Sequence, residues 1–570
     1  MAMKEQLYYG GKVYTVDEEV PRAEAVAVRD GRIVAVGPRA ECESAMRGDY
    51  SPVDLRGRAL LPGFIDTHLH PLMLVYFDMN VDLHGVRSVE ELSDRMRAAA
   101  EGVPPGGWVV GLQFDEQDFD EPRLPTRHDL DAACSERPMM IVKHDGHTVF
   151  ANSQAIEESG ATASTPDPEG GVIDREPDGY PSGVFRESAS LMIKSKVPIP
   201  DVNAFIEGAR STFGRLASCG VTSAGAVMQT DAEGPAGADG AFEVPLMSML
   251  LEHIPVNLYG ILVSSDMEQV NTAMQTPLHN PEVGAGHRIG GVKIYADGTY
   301  GSCTAYMDQP YADQPDKRGL LAHGTDDLYS RMLFAHQAGL QVAIHAIGDA
   351  ANRTCVELYE RLLSEHPLSG HRHRIEHASQ LNERIVEDIH HLGIVVSTQP
   401  MFIHSEKGWL HKRLGMERTR WTYPFRSLVD AGVRVAGASD GPVESVDVLH
   451  AIQCCVTREG FEPQQSITAE QAVRMYTIDA AYAQFEERVK GSLTPGKRAD
   501  MVVLSDNPVE VSKEKIRDVS VEMTVVGGEV VYERQGEKSP GGGSGPAREP
   551  VFRDLRPGYD RRKGSEFYGC

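Results

Sequence analysis

Short apolar runs rich in β-branched residues alternate, along the middle of the chain, with stretches whose apolar positions recur at helical spacing. Gly291–Tyr295, Gln341–Ile344, Gly393–Ser397 and Val433–Ala436 are of the first kind; Asp327–Ala338 and Asn382–His391 are of the second. That alternation marks βα units and a parallel sheet, either closed into a barrel or open and doubly wound. No GxGxxG or P-loop signature opens a helix, so an open sheet that cradles phosphates loses support.

The ends of the chain carry a different pattern. Lys12–Val16, Glu24–Val28 and Arg32–Val36 are strand-like, and Asp30-Gly31 between the last two is a hairpin signal. Asp500–Leu504, Val521–Val526 and Glu529–Tyr532 repeat the pattern, with Gly527-Gly528 as the turn. Isolated hairpins are marginal in water, so both ends are expected to meet in one small all-β domain rather than stand apart. Residues 71–200 interrupt the βα alternation and are rich in Gly, Pro and Asp, notably Pro166–Gly183. They read as a long insertion, of the kind that either roofs an active site or merely decorates a surface. After Glu533, the Gly-, Pro- and charge-rich stretch predicts a flexible or surface-draped tail.

Composition narrows the function classes. The 570 residues hold 41 % hydrophobic and 24 % charged residues, enough apolar material for large cores. With 56 Lys and Arg against 83 Asp and Glu, the net charge of −27 argues against a phosphate-tracking groove and so against nucleic acid as a partner. Eight cysteines without CxxC spacing indicate neither a disulfide scaffold nor a thiolate zinc site. No apolar run reaches membrane-spanning length and the first residues are polar, so no membrane partner and a cytoplasmic location are expected.

The chemistry is carried by histidines at strand ends. In Leu61–His70, alternation places His68 and His70 on one face, half of a metal site. His345 closes an apolar run, His377 follows Arg374-Ile375-Glu376, and Asp440 ends another run before Gly441-Pro442. In a parallel barrel such positions surround one mouth, and four strands ending this way are hard to explain as ordinary core histidines. Lys293 lies within an apolar strand, where a charged amine is costly; it either pairs with a carboxylate such as Asp297 or loses its proton and captures carbon dioxide as a carbamate. Asp145 and His147 in the insertion, and Gln399 and His404 beyond the next strand, are candidates for substrate contact or for plain loop structure. Glu376 is expected to lie behind the ligands or on the opposite strand face.

Taken together, residues 62–70 (PGFIDTHLH), 145–156 (DGHTVFANSQAI), 178–188 (DGYPSGVFRES), 292–305 (VKIYADGTYGSCTA), 343–351 (AIHAIGDAA), 374–379 (RIEHAS), 397–402 (STQPMF), 438–443 (ASDGPV) and 491–504 (GSLTPGKRADMVVL) resemble the metal-dependent amidohydrolase superfamily, specifically amidohydrolase family 3, the branch with N-substituted formamide deformylase. The resemblance implies a (β/α)8 barrel over 60–486, with the insertion at about 71–200. It also implies a composite β-sandwich from 1–59 and 487–536, and leaves 537–570 as the tail. It implies His68, His70, His345, His377 and a carboxylated Lys293 as metal ligands, and Asp440 as ligand and proton shuttle. Asp145, His147, Asp297, Gln399 and His404 are the expected substrate contacts. The cofactor implied is one or two divalent ions, zinc foremost, with carbon dioxide for the lysine.

The reaction implied is hydrolysis of a non-peptide carbon–nitrogen bond in a small amide-like substrate by a hydroxide generated at the metal. A homodimer is a further expectation from the family. Tyr300 and Cys303 stand where relatives carry smaller or basic residues, which bears on substrate choice. Two other readings are a catalytically silent barrel and the same scaffold running decarboxylation, isomerisation or hydration.

Overall fold

The computed structural model describes residues 5–534 except 105, 117–118, 122, 144–145, 199, 232–236, 265 and 283–285; the tail at 537–570 and Asp145 therefore lie outside the described residues. The apolar runs in the middle of the chain form eight parallel strands: β1 (Phe64–Leu69), β2 (Val221–Gln229), β3 (Asn257–Val263), β4 (Arg288–Tyr295), β5 (Gln341–Ala346), β6 (Arg374–His377), β7 (Val395–Thr398) and β8 (Val435–Gly437). Each pairs with its neighbours in chain order. β2, β5, β6 and β7 are buried throughout, as expected of parallel strands covered on both faces.

The ring nearly closes. Past the end of β8, the Asp440 amide donates to the His68 carbonyl at 2.7 Å and the His70 amide donates to the Gly441 carbonyl at 2.8 Å. The Thr67 hydroxyl donates to the Gly437 carbonyl at 3.0 Å. Helices return the chain between strands with local signals that match their ends. For Glu383–Leu392, the Asn382 side chain caps the Ile385 amide and Gly393 takes the left-handed conformation that stops the helix.

Strands from both chain ends share a second sheet, ordered Glu529–Glu533, Val521–Val526, Met501–Leu504, Ala59–Pro62, Glu5–Tyr14, Arg22–Arg29, Arg32–Gly37, with Ser51–Asp54 paired beside Glu5–Tyr14. Hydrogen bonds join these eight strands into one continuous sheet, and strands far apart in its order face a common core. Tyr8, Val26, Ile33, Leu60, Met501 and Val525 gather in one core, and Leu7, Ala25 and Ala27 pack with Cys42 in another. The first strand starts seven residues before the expected Lys12. Gly10, at φ 75°, absorbs a register shift between Tyr9 and Val13 that reads in sequence as a break. Asp30-Gly31 and Gly527-Gly528 all have positive φ, the hairpin geometry their sequences predict.

Met73–Gly208 form a separate unit with a six-stranded sheet of their own. Leu92, Met96, Phe114, Ile141 and Phe150 belong to one of its cores; Val110, Met140, Val149, Ile156 and Phe185 belong to another. Its Gly, Pro and Asp content reads as loop because the strands are short, yet alternate residues of Met139–Lys143 enter different cores.

Under the N-terminal ends of β5 and β6, three histidines have their tautomers set by neighbours. His373 Nδ1 accepts from the Val342 amide at 3.0 Å, so its Nε2–H donates to His336 Nδ1 at 2.8 Å, and His336 Nε2–H donates to the His366 carbonyl at 2.9 Å. His371 accepts from the His373 amide and donates to the Leu392 carbonyl. Burial, reinforced by His371 and His336, pulls His373 down to about 2 from an ordinary 6.5. As pH falls below 6.5 the unfolded chain takes up this proton first. Stability is therefore full above 6.5 and declines toward acid, by up to about 1.4 kcal/mol per pH unit for His373 alone. His373→Gln is expected to flatten the dependence of melting temperature on pH between 6.5 and 4.5, measured at fixed metal content; an unchanged slope would contradict this.

Candidate metal centre

At the C-terminal rim of the barrel, β1, β4, β5, β6 and the turn after β8 bring their polar residues together. His68 Nε2 and His70 Nε2 each lie 3.2 Å from Asp440 Oδ1. Lys293 Nζ lies 3.1 Å from His68 Nε2. The His377 ring is 5.3 Å from that of His68 and 4.4 Å from that of His345, centroid to centroid. His68, His70 and Asp440 alone offer three donor atoms within 4.8 Å of one another. Asp440 Oδ1 is buried and accepts no hydrogen bond, an orphaned anionic atom facing two imidazole nitrogens. Nitrogen and oxygen donors so arranged fit a divalent cation.

Neighbours leave the imidazoles ready to act as ligands. Glu376 Oε2 accepts from His68 Nδ1 at 2.6 Å, which puts the proton on Nδ1 and the lone pair on Nε2, toward Asp440 and Lys293. Gln399 Oε1 accepts from His377 Nδ1 at 2.9 Å and so frees that ring's Nε2. Burial, with Lys293 adding to it, pulls His68 down to about 4 and His345 to about 3, and burial with His345 takes His377 well below the ordinary range. All three are neutral at physiological pH. Burial opposes ionisation of Asp440, but His68, His377 and His70 outweigh it and hold the carboxyl below the usual range.

Backbone conformation explains a placement that strand alternation alone does not allow. Glu376 and His377 are adjacent, yet both act at the centre. His377 has φ 71° and Ala378 φ 48°, a left-handed step that turns the end of β6 inward after Glu376. Asp440, at φ 61°, is turned in the same way.

Several of the expected substrate contacts have partners within the protein. Lys293 makes no ion pair with Asp297. That carboxylate accepts instead from the backbone amides of Ile347 (3.0 Å), Gly348 (2.8 Å) and Tyr306 (2.8 Å), tying the loop after β4 to the loop that follows His345. The approach is close: a Cβ on Gly348 would sit 2.0 Å from the Tyr306 carbonyl oxygen. Held by these amides, and with Oδ1 3.5 Å from His345 Nε2, Asp297 positions the backbone beside a ligand. Asp297→Ala strands three backbone donors, two of them fully buried, and is expected to lower unfolding stability by roughly 2–5 kcal/mol; a change below about 1 kcal/mol in a denaturant titration would contradict this.

Gln399 likewise acts through His377. His404, on the helix Met401–Glu406, has Nδ1 2.8 Å from Glu459 Oε2 and joins a second cluster described below. His147 belongs to the other unit, is exposed, and lies 2.9 Å from Glu187 Oε2.

Two residues escaped the sequence reading. The Tyr295 hydroxyl is buried without a partner, and its ring lies 5.6 Å from that of His345; its i+2 spacing from Lys293 on β4 could have pointed to it. Glu243, whose carboxylate accepts from the Gln229 amide at 2.6 Å, lies near enough to feel His70, and no motif marks it.

A nearly closed parallel barrel with imidazoles and a carboxylate gathered at its C-terminal rim defines the metal-dependent hydrolase class. The family model described as "Amidohydrolase family" matches residues 52–532, and the chain belongs to that family. A short match at 25–45 is to an imidazolonepropionase-like composite domain of bacteria.

The putative amidohydrolase YtcJ of Bacillus subtilis is 29 % identical over 93 % of this chain and 99 % of its own length. The N-substituted formamide deformylase of Arthrobacter pascens is 29 % identical over 94 % of this chain and 99 % of its own. The crystal structure of an uncharacterized metal-dependent hydrolase from Pyrococcus furiosus superposes with a TM-score of 0.71 at 27 % identity, covering 89 % of this chain and all of that one. Among the described residues, no helix is long and apolar enough to cross a membrane.

Proposed function

We propose that the protein hydrolyses a carbon–nitrogen bond other than a peptide bond in a small amide-like substrate, an N-formyl or N-acyl amine. The observation that carries this reading is Asp440 Oδ1, buried, unbonded and 3.2 Å from Nε2 of both His68 and His70. His68, His70, His345, His377 and Asp440 would hold one or two divalent ions, zinc foremost. Such an ion polarises a carbonyl and lowers the pKa of water to about 7.

The residues of the chain supply the rest. Glu376 and Gln399 fix ring orientation, and Asp440, ionised beside three imidazoles, accepts the proton of the attacking water and returns it to the departing nitrogen. Lys293 suits a carbamate: burial pulls its amine down to about 8, it has no carboxylate partner among the described residues, and it faces His68. A neutral Nζ adds to carbon dioxide with loss of one proton and gains two oxygen donors. Similarity to the formamide deformylase favours an N-acyl amine over a decarboxylation or hydration substrate.

Complete removal of metal with a chelator is expected to abolish release of free amine from a panel of N-formyl and N-acyl amines, with recovery on adding zinc or another divalent ion. Undiminished amine release from metal-free protein, or turnover of other substrates with no amine released, would refute the proposal.

A further inference from the structure

A second group of donors stands apart from the barrel centre, in the segments that follow β7 and β8. His450 and Cys454 are four residues apart on the helix Val448–Thr457, and so share one of its faces. His404 comes from the helix Met401–Glu406. Glu459 is turned back toward all three by two successive left-handed residues, Arg458 at φ 49° and Glu459 itself at φ 48°. Such a conformation is unfavourable for residues with a Cβ and persists only where the surroundings enforce it.

The contacts are asymmetric. Glu459 Oε1 lies 3.0 Å from His404 Nδ1, 3.0 Å from His450 Nε2 and 3.8 Å from Cys454 Sγ. Lys407 contacts the other oxygen, Oε2. His404 Nδ1 also lies 2.8 Å from Oε2, so it spans both carboxylate oxygens, while His450 and Cys454 approach Oε1. With zinc–nitrogen and zinc–oxygen bonds near 2.0 Å and zinc–sulfur near 2.3 Å, the donor–donor edges of a tetrahedron are about 3.3–3.6 Å. The two 3.0 Å separations from Glu459 Oε1 approach those edges, and His404, His450 and Glu459 each offer a donor atom within 4.8 Å of the other two; Cys454 Sγ stands at the margin of this group, 3.8 Å from Oε1. All four side chains are largely buried, His450 and Cys454 almost completely.

We infer that His404, His450, Cys454 and Glu459 form a structural site for a zinc-like divalent cation, one that clasps the segments after β7 and β8 together. Imidazole, thiolate and carboxylate form a closed set of four that suits zinc and leaves no open position for substrate. Binding displaces the Cys454 thiol proton to solvent and leaves both imidazoles neutral, with their lone pairs on the metal. Lys407 remains on the second Glu459 oxygen and orients the carboxylate. The barrel centre has no thiol in its donor set; Cys303 lies against Arg413 Nη1 at 2.7 Å. The two sites therefore differ in spectroscopic signature.

The test is titration of chelator-stripped, full-length protein with cobalt(II). A thiolate-to-cobalt charge-transfer band in the near ultraviolet is expected, saturating at one equivalent of cobalt. Cys454→Ser should abolish the band while far-ultraviolet circular dichroism is retained. Glu459→Gln should bind one equivalent less of total metal. A His68→Ala/His70→Ala double variant should keep the band, so failure of the barrel centre cannot be mistaken for failure of this site. Should the substitutions disturb folding, zinc should still protect Cys454 of the unmodified protein from thiol alkylation, read by peptide mapping. No thiolate band, or a Cys454 alkylated equally with and without zinc, would reduce the cluster to an ion-pair network and overturn the proposal.

Discussion

Asp440→Asn is expected to lower turnover by about 10²–10⁴-fold while leaving fold and metal content close to those of the parent protein. The carboxylate stands 3.2 Å from Nε2 of both His68 and His70, and His68, His70 and His377 together hold its pKa below the usual carboxylate range. Among the described residues, no other carboxylate lies as close to both nitrogens: Glu376 is committed to Arg374 and His68 Nδ1, and Asp297 to three backbone amides. Asparagine keeps the shape and one oxygen that can still act as a ligand, but it cannot carry a proton between water and a departing nitrogen. Elemental analysis and amine-release kinetics separate the outcomes. A variant with normal metal and near-parental kcat would show that the proton passes elsewhere.

Glu376→Gln is expected to act on both stability and metal affinity. Arg374 Nε and Nη2 donate to the two oxygens of Glu376 at 2.6 and 2.7 Å, His68 Nδ1 donates at 2.6 Å, and all three side chains are fully buried. Burial disfavours the Glu376 carboxylate, but Arg374 and His68 hold it well below its ordinary range. Neutralising it leaves a buried guanidinium unpaired, at a cost of about 3–5 kcal/mol. It also releases the His68 tautomer, for an expected 10- to 100-fold loss of metal affinity. Denaturant unfolding and competition with a chromophoric chelator measure the two effects. Parental stability together with parental affinity would show that the triad organises nothing.

A site residue is legible in the sequence to the extent that its signal is local. His68 and His70 were readable because period-two alternation holds inside β1. His345 and Asp440 were readable because apolar runs end at them. The role of Glu376 was hidden because its neighbour His377 breaks that alternation with a positive φ, a local conformation that no residue type there announces. Asp297 carries the composition of a substrate contact, and only the approach of the loop after β5, with Gly348 against Tyr306, reveals it as an acceptor for backbone amides.

Cys454 and Glu459 show a different limit. Lack of CxxC spacing argues against a thiolate site, but a helical i, i+4 pair completed by residues from other segments leaves no such trace. In the terminal sheet, the turn dipeptides are legible, whereas the first strand, expected from Lys12, runs from Glu5 through a bulge at Gly10-Gly11.

Residues from β1, β5, β6 and the turn after β8 are expected to share a divalent cation at the barrel rim. Anomalous X-ray scattering from crystals grown with zinc, recorded on either side of the zinc absorption edge, tests this by position. The expected result is an edge-dependent peak within bonding distance, about 2.0–2.2 Å, of His68 Nε2, His70 Nε2 and the Asp440 carboxylate. Zinc-saturated crystals with no such peak among those side chains would contradict the account.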